Sequence, residues 1–152
     1  MIIRQLFISP GHNFFGHHGQ AAGEHPLCAM SEIECVAEHG VRGDRFFDYG
    51  NNYKGQITFF ASEVFDDVCR SLRVQRKSPS IARRNVVTAG IDLNSLIGKT
   101  FTVQGVEFEG VCECKPCDWM DSAIAPGAEK ALQGRGGLRA RILSSGTLRV
   151  DQ

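Results

Sequence analysis

Residues 107–120 read EFEGVCECKPCDWM and place Cys112, Cys114 and Cys117 at C-x-C-x-x-C spacing, with Pro116 directly before the last. Thiolates are nucleophiles and soft metal ligands, so three in such a short run can carry chemistry. Val106, Phe108, Gly110, Cys112 and Cys114 alternate. On a strand they share one face, because side chains alternate with period two. Cys112 and Cys114 are then expected to continue an apolar, core-facing row. Pro116 cannot donate to a ladder, so the strand ends before it and Cys117 stands past that end, within reach of a ligand. The expectation is two structural cysteines and one available for chemistry.

Three chemistries compete for these thiols. Cys114-Lys-Pro-Cys117 is similar to the C-x-P-C of thioredoxin, but that redox motif opens a helix in a βαβ unit and no such unit is visible around it here. Three thiols with a fourth ligand would close a tetrahedral zinc site, and His12, His17, His18 and His25 supply donors from one loop. For each histidine singly, a plain polar loop role is the simpler reading. The third reading is a lone thiolate, nucleophile or metal ligand, which needs positive charge or a metal nearby. Arginines sit where they can serve. Arg139 and Arg141 alternate with Leu138, Ala140 and Ile142 and so share a strand face, Arg83 and Arg84 precede Asn85, and Arg45 and Lys54 lie in a glycine-rich stretch. Guanidinium forks bind phosphate and carboxylate bidentately. The competing reading is a solvated strand face. Gly134-Arg-Gly-Gly137 can cradle a phosphate with backbone amides, or simply turn the chain after a helix. Asp118 and Asp121 can orient a substrate or cap a turn.

These residues need elements to hold them. The length, 152 residues, fits one domain, taken as residues 1–152. Lys and Arg number 17, as do Asp and Glu, so no overall field draws nucleic acid. No apolar run approaches the ~20 residues that cross a bilayer, and the apolar N-terminal stretch is too short for a secretion signal. The expected location is cytoplasmic, where cysteines are packed, catalytic or metal-bound rather than bridged. Strands are expected over residues 2–8, 33–37 and 57–60. A Gly- and His-rich loop over residues 9–25 can cover a site. Ser62 is expected to cap the clearest helix, where Val64, Phe65, Val68, Cys69 and Leu72 repeat at helical spacing. Asp92 caps a single turn that Gly98 ends. Residues 100–103 and 106–114 flank Gln104-Gly105 as a hairpin, and residues 138–143 and 147–150 flank Ser145-Gly146 as another. Pro126 opens a second helix that runs to Leu132. Many short strands and few helices indicate a mainly β fold, a barrel with helical insertions.

The blocks GVRGDRF (40–46), KGQITFF (54–60), RRNVVTAGIDLNSLIGKTF (83–101), CECKPC (112–117) and GGLRARIL (136–143) resemble, in that order, the MOSC family, named for the C-terminal domain of molybdenum cofactor sulfurases. The chain looks like a small stand-alone bacterial member. The resemblance implies a MOSC-like β-barrel with two or three peripheral helices, and one functional cysteine that maps onto Cys117. Similar proteins hold a molybdenum–pterin cofactor (molybdopterin) with that thiolate as metal ligand and reduce N-hydroxylated compounds. Others carry sulfur as a persulfide on it. Pyridoxal phosphate binding is a further property associated with the family. The R-x-N-like block maps onto Arg84 and Asn85, which would hold the cofactor's phosphate and pterin. The cofactor-binding set is then Arg45, Lys54, Arg84, Asn85, Thr88, Arg139 and Arg141, and Cys117 is both the catalytic residue and the metal ligand. The larger members have an N-terminal β-barrel domain that this chain lacks, so a homodimer or a sulfur-donor partner is expected to complete the pocket, with a small-molecule substrate. A zinc-stabilised binding module is the remaining alternative.

Overall fold

The computed structural model describes residues 1–75 and 77–152. Ten strands dominate it: β1 (Ile2–Ile8), β2 (Cys28–Met30), β3 (Glu32–Val36), β4 (Gly40–Val41), β5 (Ile57–Ala61), β6 (Val86–Ala89), β7 (Thr100–Val103), β8 (Val106–Glu113), β9 (Leu138–Ile142) and β10 (Gly146–Arg149). The helices are α1 (Ser62–Ser71), α2 (Trp119–Ala123) and α3 (Ala128–Leu132), with 3₁₀ turns at Pro79–Ala82 and Leu93–Leu96. Seven strands form one sheet in the order β2-β1-β6-β5-β9-β8-β7, and β10-β3-β4 form a second. Only β5 and β6 pair in parallel, joined by a crossover through α1; the other neighbours are antiparallel. The seven-stranded ladder runs open from β2 to β7. Among the described residues, no sheet closes on itself, so the barrel expected from the sequence is not formed as a continuous ladder.

Strand β5 explains how the core is divided. All five of its residues are buried, but they alternate between faces. Ile57 and Phe59 join the core between the two sheets, with Phe108, Leu138, Ile142, Ile33 and Leu148. The Phe59 ring meets Phe101 and Phe108 edge-on at 5.7 and 5.5 Å. Phe60 faces the other way and packs with Phe65, Val68, Cys69, Met120, Ile124 and Leu132 beneath the helices. Full burial of such side chains contributes roughly 1.5–3 kcal/mol each, so the helices earn their place by sealing the outer face of β5.

Several local expectations are met. Asp92 accepts from Asn94 N at 3.0 Å and caps the short turn. The hairpin β7–β8 turns on Gln104 and Gly105, both with positive φ. Others are corrected. Ser62 is the first helical residue, not the cap: Ala61 holds that position without a side-chain hydrogen bond. The helix after Pro126 starts at Ala128, preceded by Gly127 in the left-handed region. Strands β9 and β10 are consecutive but do not form a hairpin. Leu143 N and Ser144 N both donate to Glu107 O, which holds the chain on the edge of β8 before it leaves to pair β10 with β3.

Candidate functional site

The most consequential correction is on β8. Gly110 pairs with Ala140 of β9, yet Cys112 pairs with Arg139, so Val111 is an extra residue at a β-bulge. A one-residue shift moves every following side chain to the opposite face. Val106 and Phe108 therefore face the inter-sheet core, as expected, but Cys112 shares its face with Arg139. Cys114 is buried, yet it belongs to neither hydrophobic cluster and lines a cavity instead. Thr58 of β5 pairs with Arg139 in turn. Thr58, Arg139 and Cys112 thus form a row across three strands.

A cavity of about 280 Å³ lies over this row. Cys114, Cys117, Arg45, Arg83, Arg84 and Arg139 line it, with Lys115, and among the described residues no carboxylate does. Three of the arginines are anchored by protein oxygens. Arg83, at φ 54, ends the turn Pro79–Ala82 and donates to Ser9 Oγ at 2.6 Å, Gly11 O at 3.1 Å and His25 O at 3.2 Å. Arg84 donates to Ala82 O at 2.8 Å and to Gly136 O at 3.3 and 3.4 Å. Arg45 donates to Asp44 Oδ1 at 3.2 Å and Arg83 O at 3.0 Å, and stacks over Phe46. Arg139, half-buried on β9, lines the cavity together with Cys114. Burial pushes the Arg83 guanidinium down to about 10, with Arg45 adding repulsion. Burial also lowers Arg45, against the pull of Asp44. Arg139 goes the other way: burial opposes its charge, and the thiol of Cys114 outweighs it. Crowded, partly desolvated cations with no acidic wall make a site for an anion.

The loop between β1 and β2 forms the lid over this site. Asn13 fastens it, accepting from His25 N at 2.7 Å and donating to His25 O at 3.0 Å. His12 packs against Phe46 and Phe15, and Phe14 packs against Trp119 at 5.2 Å. His12 is held below the usual imidazole range, first by burial and then by Arg45. Tyr53, stacked on Phe46, is raised above the usual phenol range by burial. Trp119 Nε1 is buried, without a partner, in a side chain that lines the cavity.

Of the residues assigned in the sequence to catalysis or cofactor binding, Cys117, Arg45, Arg84 and Arg139 line this cavity, and Cys117 is exposed. The others stand elsewhere. Lys54 is exposed and does not line it. Asn85 is buried; its Oδ1 accepts from Thr58 N and Thr58 Oγ1, both at 3.0 Å, and its Nδ2 donates to Phe7 O at 3.3 Å. Thr88 is buried and donates to Phe60 O at 3.4 Å. Arg141 shares the strand face of Arg139 but bonds Asn52 O and Glu109. Among the described residues, no three of His, Cys, Asp and Glu gather where they could hold a metal ion, which removes the support for a structural zinc site. Sequence reasoning missed the cavity role of Cys114, Tyr53, Phe14 and Trp119. Cys114 was hidden by the bulge. The aromatics of the His-rich loop carried a signal, since exposed loops seldom need them.

Fold and site define a mainly β protein with a guanidinium-lined cavity and a reachable thiol. The MOSC domain family model matches residues 17–152, and the chain belongs to the MOSC domain family. No curated protein sequence matches it. Its fold is similar to that of the YuaD protein from Bacillus subtilis, with a TM-score of 0.76 and 18% identity over 97% of this chain and 90% of that one. YiiM from Geobacillus stearothermophilus is similar with a TM-score of 0.68 and 12% identity, over 97% of this chain and 70% of the other. YiiM from Escherichia coli gives 0.67 and 14%, over 99% and 67%. Among the described residues, no helix is long and apolar enough to cross a membrane.

Proposed function

We propose that this chain binds the molybdenum–pterin cofactor associated with its family, takes Cys117 as a thiolate ligand to the metal, and reduces N-hydroxylated or related small substrates. The observation that carries this reading is one exposed thiol on the wall of a cavity lined by four guanidiniums and no carboxylate. The donor set fits the group: a soft sulfur suits molybdenum, and guanidinium forks suit a phosphate. The cofactor, when bound, supplies two-electron redox chemistry.

The chain's own residues do the rest. Arg139, which lines the cavity with no hydrogen bond to a protein oxygen among the described residues, turns to an entering phosphate or substrate oxyanion. Arg83, Arg84 and Arg45 keep their backbone anchors and supply field. Trp119 Nε1–H offers a donor to an acceptor in the cavity, while Phe14 and Trp119 present flat surfaces to a ring. Tyr53, kept neutral by burial, holds a proton it can share with a substrate oxygen. The neutral ring of His12 adds no further charge. The loop over residues 9–25 limits access by water.

The test is reconstitution. Apoprotein incubated with the phosphorylated molybdenum cofactor should take it up and, with a reduced dye as electron source, reduce an aromatic amidoxime; no uptake and no reduction would contradict the reading. A second reading, a metal-free sulfur carrier, draws on the same exposure of Cys117. It expects a mass gain of one sulfur on Cys117 after incubation with a cysteine desulfurase, removed by reductant.

A further inference from the structure

The bulge that turns β8 over brings a second sulfur to the cavity, and the reduction chemistry above gives it no task. We propose that Cys114 and Cys117 form a reversible disulfide along the cavity wall, which shuts the site by engaging the Cys117 sulfur. The inference rests on the reading of Cys117 as the working thiol.

Four observations carry it. Both cysteines line the same cavity. The segment between them is pinned at both ends: Cys114 N donates to Gly137 O at 2.7 Å, and Cys117 O accepts from Met120 N at 2.9 Å. Closing the pair therefore alters two intervening residues and leaves the sheet alone. Three peptide links reach at most about 11 Å, and a disulfide needs Cα atoms about 4.4–6.8 Å apart, so the segment must turn to close the pair; β8 ends at Glu113 and residues 114–117 lie outside any strand or helix. Exposure is also divided as exchange requires: Cys117 is reachable from solvent, whereas Cys114 is buried behind it. Lastly, Arg139 lines the same cavity as Cys114, and a neighbouring positive charge favours the thiolate that attacks. The remaining cysteines lack this setting. Cys35 is sealed in the core, its thiol pushed up to about 12 by burial, and Cys69 packs under the helices. Cys28 is exposed on β2, and Cys112, half-buried on β8, does not line the cavity.

The oxidant is a low-molecular-weight disulfide, RSSR. The Cys117 thiolate attacks one of its sulfurs, forms Cys117–S–SR and expels RS⁻. The Cys114 thiolate then attacks the Cys117 sulfur, forms Cys114–S–S–Cys117 and expels the second RS⁻. The two cysteines are oxidised, one RSSR is reduced, and the two protons lost by the cysteines pass through solvent to the two RS⁻, which leave as RSH. A dithiol reductant reverses the sequence.

The experiment uses the full chain, metal-free, in a Cys28→Ser background, treated with oxidised glutathione, alkylated, digested and analysed by mass spectrometry with fragmentation. The expected product is an internal bond between Cys114 and Cys117, with the loss of two hydrogens and no retained glutathione. In Cys114→Ser the reaction should stop at a glutathione adduct on Cys117, and in Cys117→Ser neither site should react. Arg139→Gln should slow the closing step several-fold while leaving the first adduct unchanged. An adduct that persists on Cys117 with Cys114 intact would overturn the proposal, and so would an unreactive Cys117; the first result needs no substitution in the cavity. If the disulfide forms in a chain that takes up no molybdenum, the switch stands and the cofactor reading falls.

Discussion

Cys117 and Asn85 show why residue type alone cannot assign a role. Cys117 is exposed and packs into neither apolar cluster, so Cys117→Ala should leave stability within about 0.5 kcal/mol, as for ordinary surface changes. The same variant should lose thiol labelling at the cavity, and comparing urea unfolding midpoints with a maleimide assay checks both halves. Asn85 is buried, with its amide engaged by Thr58 and Phe7. Asn85→Leu leaves Thr58 N and Thr58 Oγ1 without that acceptor, and an unsatisfied buried group costs about 1–3 kcal/mol; denaturant unfolding should show a loss of that order. In the sequence the two residues look equally functional, because a polar side chain beside arginines serves a ligand or a neighbouring strand equally well. Burial separates them, and burial depends on where β1, β5 and β6 meet.

At the scale of elements, the lid over residues 9–25 is held by one side chain more than by its own composition. Arg83 reaches Ser9 Oγ, Gly11 O and His25 O. Arg83→Ala should release the loop, seen as faster amide hydrogen exchange over residues 9–25 with the strands unchanged. Acid should act in the same direction through His12. Its pKa is lowered in the folded chain, first by burial and then by Arg45. A depressed value means that closure is fully favoured above the ordinary imidazole range near 6.5 and is lost as pH falls through the lowered value. Exchange in the loop should therefore accelerate as pH falls below the ordinary imidazole range, and His12→Phe should flatten that dependence. Periodicity in the sequence was enough to place β1, β5, α1 and the β7–β8 hairpin, since each is long or capped. It missed α2, a helix of five residues, and the bulge at Val111, because an extra residue leaves no mark on an alternating pattern. The positioning of Cys114 follows from that single residue.

For the whole molecule, mainly β composition was legible, while the arrangement of the strands was not. The order β2-β1-β6-β5-β9-β8-β7 depends on long-range pairing, and β10 crosses to a separate sheet where a hairpin was expected. Two tight approaches hold the sheet's working edge. A side chain at Gly110 would strike Leu96 O, and one at Gly137, whose φ is 109°, would strike Phe59 O. Gly137→Ala should thus cost about 1–3 kcal/mol and should also weaken the site, because the same residue anchors Cys114 N; thermal unfolding and thiol reactivity should move together.

The proposed role of the exposed sulfur beside the guanidinium-lined cavity is to hold molybdenum. Elemental and pterin analysis of the wild type and of Cys117→Ala, purified side by side from a cofactor-producing host, tests it most directly. We predict molybdenum and pterin near one per chain in the wild type and a large loss of metal in an equally folded Cys117→Ala. Equal metal in both proteins, or none in either, would contradict it.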